Sequence, residues 1–306
     1  SAGGSSAIFN RADELVIENS DHAGITIKSP TDKETSVFFG DADDSSRSGI
    51  RYNHDGDTMT FQVASAKLIL DLNSRISLSN NDAGSSNTTF GYNSGNALAS
   101  GSQQNAFYGE DSGLDTTTGG GNVALGWRSL YENTTGGNNT AVGYYALKGT
   151  NGSATSSNNV AVGAQSLYNA SSGANNTAVG YRSLYGVTTA NANVAIGKET
   201  LYSTTTGGSN TALGHQAMYY GTESDSNVAV GTSALEKNVT GDDNTAIGYQ
   251  SQYGSSGQSH SNNTSVGYKS LFSITTGGNN TAIGYTALQN NTTATYNLAL
   301  GYRALR

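Results

Sequence analysis

From residue 87 onward, small apolar and polar residues alternate in a pattern that recurs about every 17 residues. Each copy reads Asn, Thr or Val, Ala, then Val, Ile or Leu, then Gly, and most copies carry Leu four residues after the Gly. Internal self-similarity at a fixed period is the signature of a repeat architecture. Thirteen copies are present, with their glycines at residues 91, 109, 126, 143, 163, 180, 197, 214, 231, 248, 267, 284 and 301.

Positions in each copy are numbered here from that glycine. The residues at positions −3 and −1 lie two apart with Ala between them, which predicts a short strand. The glycine ends the strand at a point that needs a positive φ or a close backbone approach. We expect the β-branched pair at positions −3 and −1 to be buried and the Ala at position −2 to face outward. Leu at position +4 supplies a second apolar column, which Met218 continues and Gln252 interrupts.

A unit of this size cannot bury its apolar residues alone, so the copies must stack. The pattern predicts an all-β parallel β-solenoid, or β-roll, of about 17-residue repeats over residues 87–306. Two turn types alternate between successive copies, which leaves open whether one coil holds one repeat or two. With about 4.8 Å between neighbouring coils, the solenoid would be about 58 Å or about 29 Å long.

Residues 1–86 differ from the repeats and hold 13 of the 23 acidic residues. Short apolar or alternating runs are separated there by turn signals, which predicts a small all-β module with hairpin-like spacing. The runs are Leu15–Ile17, Gly24–Lys28, Ser36–Phe39, Gly49–Tyr52, Met59–Val63, Lys67–Leu70 and Arg75–Leu78.

Composition narrows the functional classes. The 306 residues carry a formal charge of −8, one proline and no cysteine, so disulfides and cysteine-ligated metals are excluded. The acidic balance and the lack of a basic run argue against nucleic-acid binding. No stretch approaches 18 consecutive apolar residues, so we expect no membrane insertion.

Two columns of aromatic residues accompany the repeat. Exposed tyrosines can pack on sugars and offer a hydroxyl, so position +1 is a candidate binding surface for a glycan or a protein receptor. Packing between coils explains that column equally well. For the second column, at position +5, packing between coils is the favoured interpretation. The candidate binding residues are Trp127, Tyr144, Tyr181, Tyr249, Tyr268, Tyr285 and Tyr302.

The alanine column at position −2 is the predicted contact surface of a homotrimer. A ladder of small side chains on an outward face would let another chain approach closely, and three copies around one axis suit a fibre. The alternative is a smooth solvated wall. The candidate interface residues are Ala141, Ala161, Ala178, Ala195, Ala212, Ala229, Ala246 and Ala282.

Catalytic and metal-binding signals are weak. Neighbouring coils would bring Glu223 or Asp225 near Asp242 or Asp243, and paired carboxylates are what glycan cleavage needs. Solvated turn acids explain them more simply. The acidic segments at residues 41–44 and 55–57 offer oxygen ligands without a known metal-loop spacing, so acidic turns are favoured. We expect no enzyme activity, no metal and no cofactor.

The strand motif, as in Asn139-Thr-Ala-Val-Gly143, resembles the head repeats of trimeric autotransporter adhesins. That resemblance implies a left-handed parallel β-roll, three chains side by side, and binding to host surfaces. The N-terminal module, from Leu15 to Phe61, looks like the module that precedes such repeats in tail-fibre proteins of marine tailed phages.

Together the resemblances imply a structural and adhesive segment of a trimeric phage tail fibre that attaches the virion to a bacterial surface. Two alternatives stay open: a glycan-cleaving tailspike, and an ice-binding solenoid. The second is disfavoured because the threonines at position −3 alternate with valines and are expected to face inward. A bacterial cell surface is the alternative location.

Overall fold

The structure is a computed structural model that describes residues 27–39, 48–54, 58–63, 66–70, 86–150, 152 and 154–306. The chain divides into two compact units, residues 1–72 and 73–306. The elements within the described ranges are all β-strands. No helix in those ranges is long and apolar enough to cross a membrane.

The first unit contains a four-stranded antiparallel meander in the order β1-β2-β3-β4. Four predicted apolar runs form these strands, which confirms the hairpin-like module. The runs at residues 15–17 and 75–78, and most of 24–28, lie outside the described residues. The strands are β1 Glu34–Phe39, β2 Ser48–Asn53, β3 Thr58–Val63 and β4 Ala66–Leu70.

The second unit is a parallel β-solenoid whose thirteen strands stack in sequence order. Each strand pairs with the equivalent residues of the next repeat, so that Ala178 lies opposite Ala195. One repeat therefore makes one coil, and the solenoid is about 58 Å long at about 4.8 Å per coil. The strands are β5 Thr88–Phe90, β6 Ala106–Tyr108, β7 Val123–Leu125, β8 Thr140–Val142, β9 Val160–Val162, β10 Thr177–Val179, β11 Val194–Ile196, β12 Thr211–Leu213, β13 Val228–Val230, β14 Thr245–Ile247, β15 Thr264–Val266, β16 Thr281–Ile283 and β17 Leu298–Leu300.

The predicted direction of the strand side chains is wrong. The alanines at position −2 point into the coil and are fully buried, whereas positions −3 and −1 face outward. Val194 and Ile196, for example, are 36% and 39% exposed on either side of a fully buried Ala195. Since the alanine column fills the interior of its own chain, it cannot form the contact surface of a trimer. The eight alanines that were assigned to that surface are Ala141, Ala161, Ala178, Ala195, Ala212, Ala229, Ala246 and Ala282, all at 0% exposure.

The interior of the coil is too narrow for a different arrangement. It already holds the leucines of position +4 and the serines or alanines of position +3, which are buried in successive coils. A small residue at position −2 completes close packing without a clash. At two places in the solenoid, the residues at positions −2 and +4 depart from the repeat pattern together. These paired departures show that the two positions fill the same part of the interior.

The first pair exchanges volume. Phe107 replaces Ala at position −2 in the second coil, and Gly113 replaces Leu at position +4 of the same coil. A Cβ added to Gly113 would lie 2.4 Å from the Phe107 ring. The large and small residues have therefore changed places, and the filled volume is retained.

The second pair exchanges polarity. Gln252 takes the Leu position, and Ser265, one coil later, takes the Ala position. Gln252 Nε2 donates to Ser265 Oγ at 3.0 Å and to the Thr245 carbonyl at 2.8 Å. This polar coil separates two apolar core clusters, one ending at Ala246 and the other beginning at Leu271.

An asparagine ladder runs through the interior at position −4. Asn176 Oδ1 accepts from the backbone N–H of Asn193 at 3.0 Å and from its Nδ2 at 3.1 Å. Asn176 Nδ2 also donates to the Ala190 carbonyl at 2.8 Å, which ties the strand to the far turn of the coil. The same bonding connects each coil to the next from Asn87 to Asn297, so buried backbone groups find partners.

The glycine that follows each strand is required for two reasons. Gly197 has φ of +135°, and a Cβ on it would lie 2.6 Å from the Gly214 carbonyl oxygen. The glycines of successive coils therefore stack in close backbone contact. Left-handed backbone also occurs at positions +2 and +4, where Arg182 and Leu184 have φ of 53° and 51°.

Candidate functional site

The aromatic residues at position +1 lie on the surface of the solenoid, immediately after the glycine column. The structure sorts the tyrosines and the tryptophan into a pair, two isolated residues (Tyr92 and Tyr181) and a run of four. Trp127 stacks on Tyr144 with ring centroids 5.2 Å apart. Tyr181 stands alone because Ala164 and Lys198 occupy the same position in the flanking coils.

The run of four, called here the four-tyrosine ladder, comprises Tyr249, Tyr268, Tyr285 and Tyr302. Successive ring centroids are 5.4, 5.1 and 5.4 Å apart, and the planes deviate from parallel by 7° to 14°. The four side chains are 40% to 69% exposed. Each coil contributes one ring, so the ladder follows the solenoid axis.

Stacking determines which part of each ring a ligand can touch. Parallel rings at these centroid distances lie in offset-stacked contact, with their faces toward each other. Within the ladder the ring faces are therefore occupied, and the edges and hydroxyl groups are what the surface presents. Inside the run, a sugar can therefore contact the ring edges and hydroxyl groups but not the covered ring faces.

The second aromatic column, at position +5, is half-buried. Tyr168, Tyr185, Tyr202 and Tyr219 stack with centroids 4.8 to 5.1 Å apart and planes within 8° of parallel. Burial, and then the neighbouring Tyr202, raise the pKa of Tyr219 above its ordinary value. This column packs between coils, as its favoured interpretation predicted.

Cations lie between the two aromatic columns at position +2. The Arg182 guanidinium lies 5.0 Å from the Tyr181 ring centroid and 5.5 Å from that of Tyr185. Lys269 bridges the columns in the same way, 5.4 Å from Tyr268 and 5.0 Å from Phe272. Cation–π contacts of this kind hold the charged groups beside the rings. These cations were not predicted as site residues, although each of them follows its repeat glycine by two residues in the sequence.

Arg128 shows the same position in a more crowded setting. It donates from Nη1 to the Tyr145 hydroxyl at 2.8 Å and from Nε to Asp111 Oδ2 at 3.0 Å. The hydrogen bond to Tyr145, followed by that to Asp111, raises the Arg128 pKa further above its ordinary value. Its charge is thus paired within the chain.

The outer sheet face, defined as positions −3 and −1 of the thirteen strands, is the second candidate surface. Position −1 is apolar in every coil, and position −3 is mostly Thr or Val. Leu125, Leu213 and Ile283 on this face are 50%, 44% and 41% exposed. The columns are in register because the strands pair residue for residue. This surface was not predicted from the sequence, because the residues at positions −3 and −1 were expected in the core.

The carboxylates proposed as a cleavage pair have structural roles. Asp242 Oδ1 accepts from the backbone N–H of Asp225 at 2.7 Å, and Asp225 Oδ1 accepts from that of Gly208 at 2.5 Å. These two acids do lie in neighbouring coils, as expected, but each caps the turn of the preceding coil. Glu223 and Asp243 make no side-chain hydrogen bond within the described residues.

Asp115 and Glu132 form another pair of acids, and the charge of one affects the pKa of the other. Burial, and then the negative charge of Glu132, raise the pKa of Asp115. Glu132 is itself held by Lys148 Nζ at 2.6 Å and by the Gly152 N–H at 3.1 Å. Glu132 therefore stabilises the turn at Gly152.

No group of three or more histidine and acidic side chains positioned to hold a metal ion occurs among the described residues. The acidic segments at residues 41–44 and 55–57 lie outside those residues.

Comparison with known proteins adds no assignment. No protein-family model, curated protein or solved structure matches the chain.

Proposed function

We propose that this chain is a structural and adhesive segment of a trimeric phage tail fibre, which attaches the virion to a glycan or protein receptor on a bacterial surface. The observation that carries the proposal is the outer sheet face, whose position −1 column is apolar in every coil and exposed along the solenoid. Soluble proteins rarely expose a stripe of this size unless another surface covers it.

We assign the trimer contact to this face instead of the alanine column. At about 4.8 Å per coil the face is about 58 Å long, and two columns two residues apart make it about 10 Å wide. Each copy then offers about 600 Å², and three copies bury about 1,800 Å² in all, divided among three pairwise contacts. The columns of one copy repeat at the spacing of those of another, so identical faces match in register.

The aromatic surface beside this face would serve attachment. The direct test is the binding of fluorescently labelled protein to whole bacterial cells from a panel of species. We expect saturable binding to at least one of them. Periodate oxidation of the cells abolishes binding if the receptor is a glycan, and protease treatment abolishes it if the receptor is a protein. A monomer that binds no cell in the panel would contradict both halves of the proposal.

An ice-binding solenoid remains the second candidate because one observation favours it. The threonines of position −3 face outward, contrary to the expectation that they face inward, and Thr245, Thr264 and Thr281 pair in three adjacent coils. Ice-recrystallisation assays separate the two functions. Sugar release from host polysaccharide tests the tailspike alternative.

A further inference from the structure

The charge of the solenoid is distributed unevenly along its length. Residues 244–306 contain Lys269, Arg303 and Arg306 but no aspartate or glutamate, in a chain with 23 acidic residues. The four-tyrosine ladder occupies this same acid-free segment. A positive surface within an acidic protein attracts anions to one place.

The cations are placed at regular positions beside the ladder. The Lys269 ammonium lies 5.4 Å from the Tyr268 ring centroid, and the Arg303 guanidinium lies 5.1 Å from that of Tyr302. They belong to alternate coils, since Thr286 takes the position between them. Their spacing along the axis is therefore about 10 Å, or two coils. Neither cation has an ion pair within the described residues.

The ladder also offers a row of free hydroxyl groups. The hydroxyls of Tyr249, Tyr268, Tyr285 and Tyr302 make no hydrogen bond within the described residues, and the side chains are 40% to 69% exposed. Each hydroxyl can donate one hydrogen bond and accept others. The surface is thus a line of polar groups and ring edges that repeats once per coil.

We propose that the four-tyrosine ladder, with Lys269 and Arg303, binds a linear acidic polysaccharide that lies parallel to the solenoid axis. One sugar aligns with each coil, and the carboxylate of every second sugar meets a cation. The proposal rests on the adhesive function proposed above and specifies its ligand class.

The geometry favours an extended β-linked polysaccharide over other anionic polymers. Each pyranose unit of such a chain advances by about the width of one ring, which is close to the rise of one coil. Single-stranded nucleic acid requires exposed aromatic faces on which its bases stack. Those faces are covered within the ladder, so nucleic acid is the disfavoured ligand and becomes an outcome of the test.

Isothermal titration calorimetry with hyaluronan oligosaccharides tests the proposal, because hyaluronan is β-linked and carries one carboxylate per disaccharide. We expect affinity to rise from two to four sugars and then to level off, as the ladder has four rings. Carboxyl-reduced hyaluronan should bind at least tenfold more weakly. The affinity should also fall with added salt, since the contacts are charged.

Variants locate the site. Tyr285→Phe retains the stacked ring and removes only the hydroxyl, and it should weaken binding severalfold. Lys269→Gln with Arg303→Gln should weaken it at least tenfold and reduce the salt dependence. Tyr202→Phe is the matched control in the half-buried ladder and should bind as the wild type does. Circular dichroism and thermal melting should confirm that all three proteins are folded.

Three results would overturn the proposal. They are tighter binding of oligodeoxythymidine than of any hyaluronan length, equal binding of charged and carboxyl-reduced sugars, and undiminished binding by the double glutamine variant. Failure to bind hyaluronan, together with failure to bind polymannuronate, a second linear β-linked uronic polymer, would also overturn it. Cell binding that persists after any of these results would leave the adhesive function standing with a different ligand.

Discussion

Asn122 and Asn139 occupy the same place in neighbouring coils, and one side chain serves the other. Asn122 Oδ1 accepts from the backbone N–H of Asn139 at 2.9 Å and from its Nδ2 at 3.1 Å. Asn139 Nδ2 then donates to the Ser156 carbonyl at 2.8 Å. A single buried amide thus connects two strands and a turn, and the thirteen strands repeat this connection.

Replacing one amide of the ladder should be costly. Asn176→Ala leaves the buried N–H of Asn193 and the Ala190 carbonyl without partners. We expect a loss of about 3 kcal/mol or more, since each unsatisfied buried group costs about 1–3 kcal/mol. Denaturant unfolding measures it.

Asn191→Ala is the control for the ladder variant, because Asn191 lies in an exposed turn, where its Oδ1 accepts from the Ala174 N–H and its Nδ2 donates to the Thr189 carbonyl. Its effect should stay within about 1 kcal/mol. Equal destabilisation by the two variants would show that burial of the ladder is not what stabilises the coils.

Gly197→Val should unfold the coil that contains it. The residue combines φ of +135° with a Cβ position 2.6 Å from the Gly214 carbonyl oxygen, so a branched side chain meets both strain and a backbone clash. Thermal melting should show a large decrease in melting temperature.

Gly257→Ala separates these two costs. Gly257 has φ of +74° and no atom within 4 Å of an added Cβ, so only conformational strain applies. We expect a loss of about 1–2 kcal/mol for that variant. A Gly197→Val protein that is no less stable than Gly257→Ala would refute the close stacking of the glycine column.

Neighbouring residues of one strand should respond oppositely to a negative charge. Ile196→Glu places a carboxylate on the outer sheet face and should leave the fold intact while dissociating the trimer. Analytical ultracentrifugation should report about three times 31.4 kDa for the wild type and 31.4 kDa for the variant. A wild-type monomer at micromolar concentration would reject the trimer.

Ala195→Glu, one residue earlier, buries the same charge in the coil interior. We expect a loss of about 3–5 kcal/mol, the usual cost of an uncompensated buried charge. Circular dichroism should show disruption of the strands. A folded monomer from this variant would restore the alanine column as an interface.

Acid should destabilise the solenoid, because the buried imidazole of His260 resists protonation in the folded state. The side chain is 2% exposed, its Nε2 has no hydrogen-bond partner, and burial lowers its pKa from 6.5 to about 4. As the pH falls, His260 is protonated in the unfolded chain before it is protonated in the folded one. The stability that is fully present above pH 6.5 is therefore lost progressively as the pH falls to about 4. The loss is about 3 kcal/mol at 1.36 kcal/mol per pH unit.

His260→Ser is the matched variant, because Ser224 takes the equivalent place three residues before Asn227. Unfolding free energies measured from pH 7 to pH 4 should decrease less steeply in this variant. Parallel pH profiles for the two proteins would contradict the assignment to His260.

The repeat period, the parallel stacking and the place of each column can be read from the amino-acid sequence alone. A 17-residue repeat of strand, glycine and turn can bury its apolar residues only against its own copies, so the solenoid followed from periodicity. The aromatic columns followed in the same way. Their stacking into ladders needs only equal positions in neighbouring coils.

Which side of each strand faces inward depends on packing inside the closed coil. Period-2 alternation divides a strand into two sets of side chains and does not say which set is buried. The larger residues were expected inside, but the narrow coil admits Ala opposite Leu and expels Val and Ile. The sequence carried signals of this in Phe107 with Gly113 and in Gln252 with Ser265. The Asn at position −4 and the Ala at position −2 are two residues apart and lie on the same side of the strand. Since the Asn is buried, the Ala is expected to be buried as well.

Backbone conformation was also decided by the closed coil. Leu184 adopts φ of 51°, in the left-handed region that leucine rarely occupies. The path of a 17-residue coil requires a sharp turn there, and burial of the leucine offsets the strain. The free cations beside the tyrosines likewise depend on this turn, because it places position +2 between the two aromatic columns.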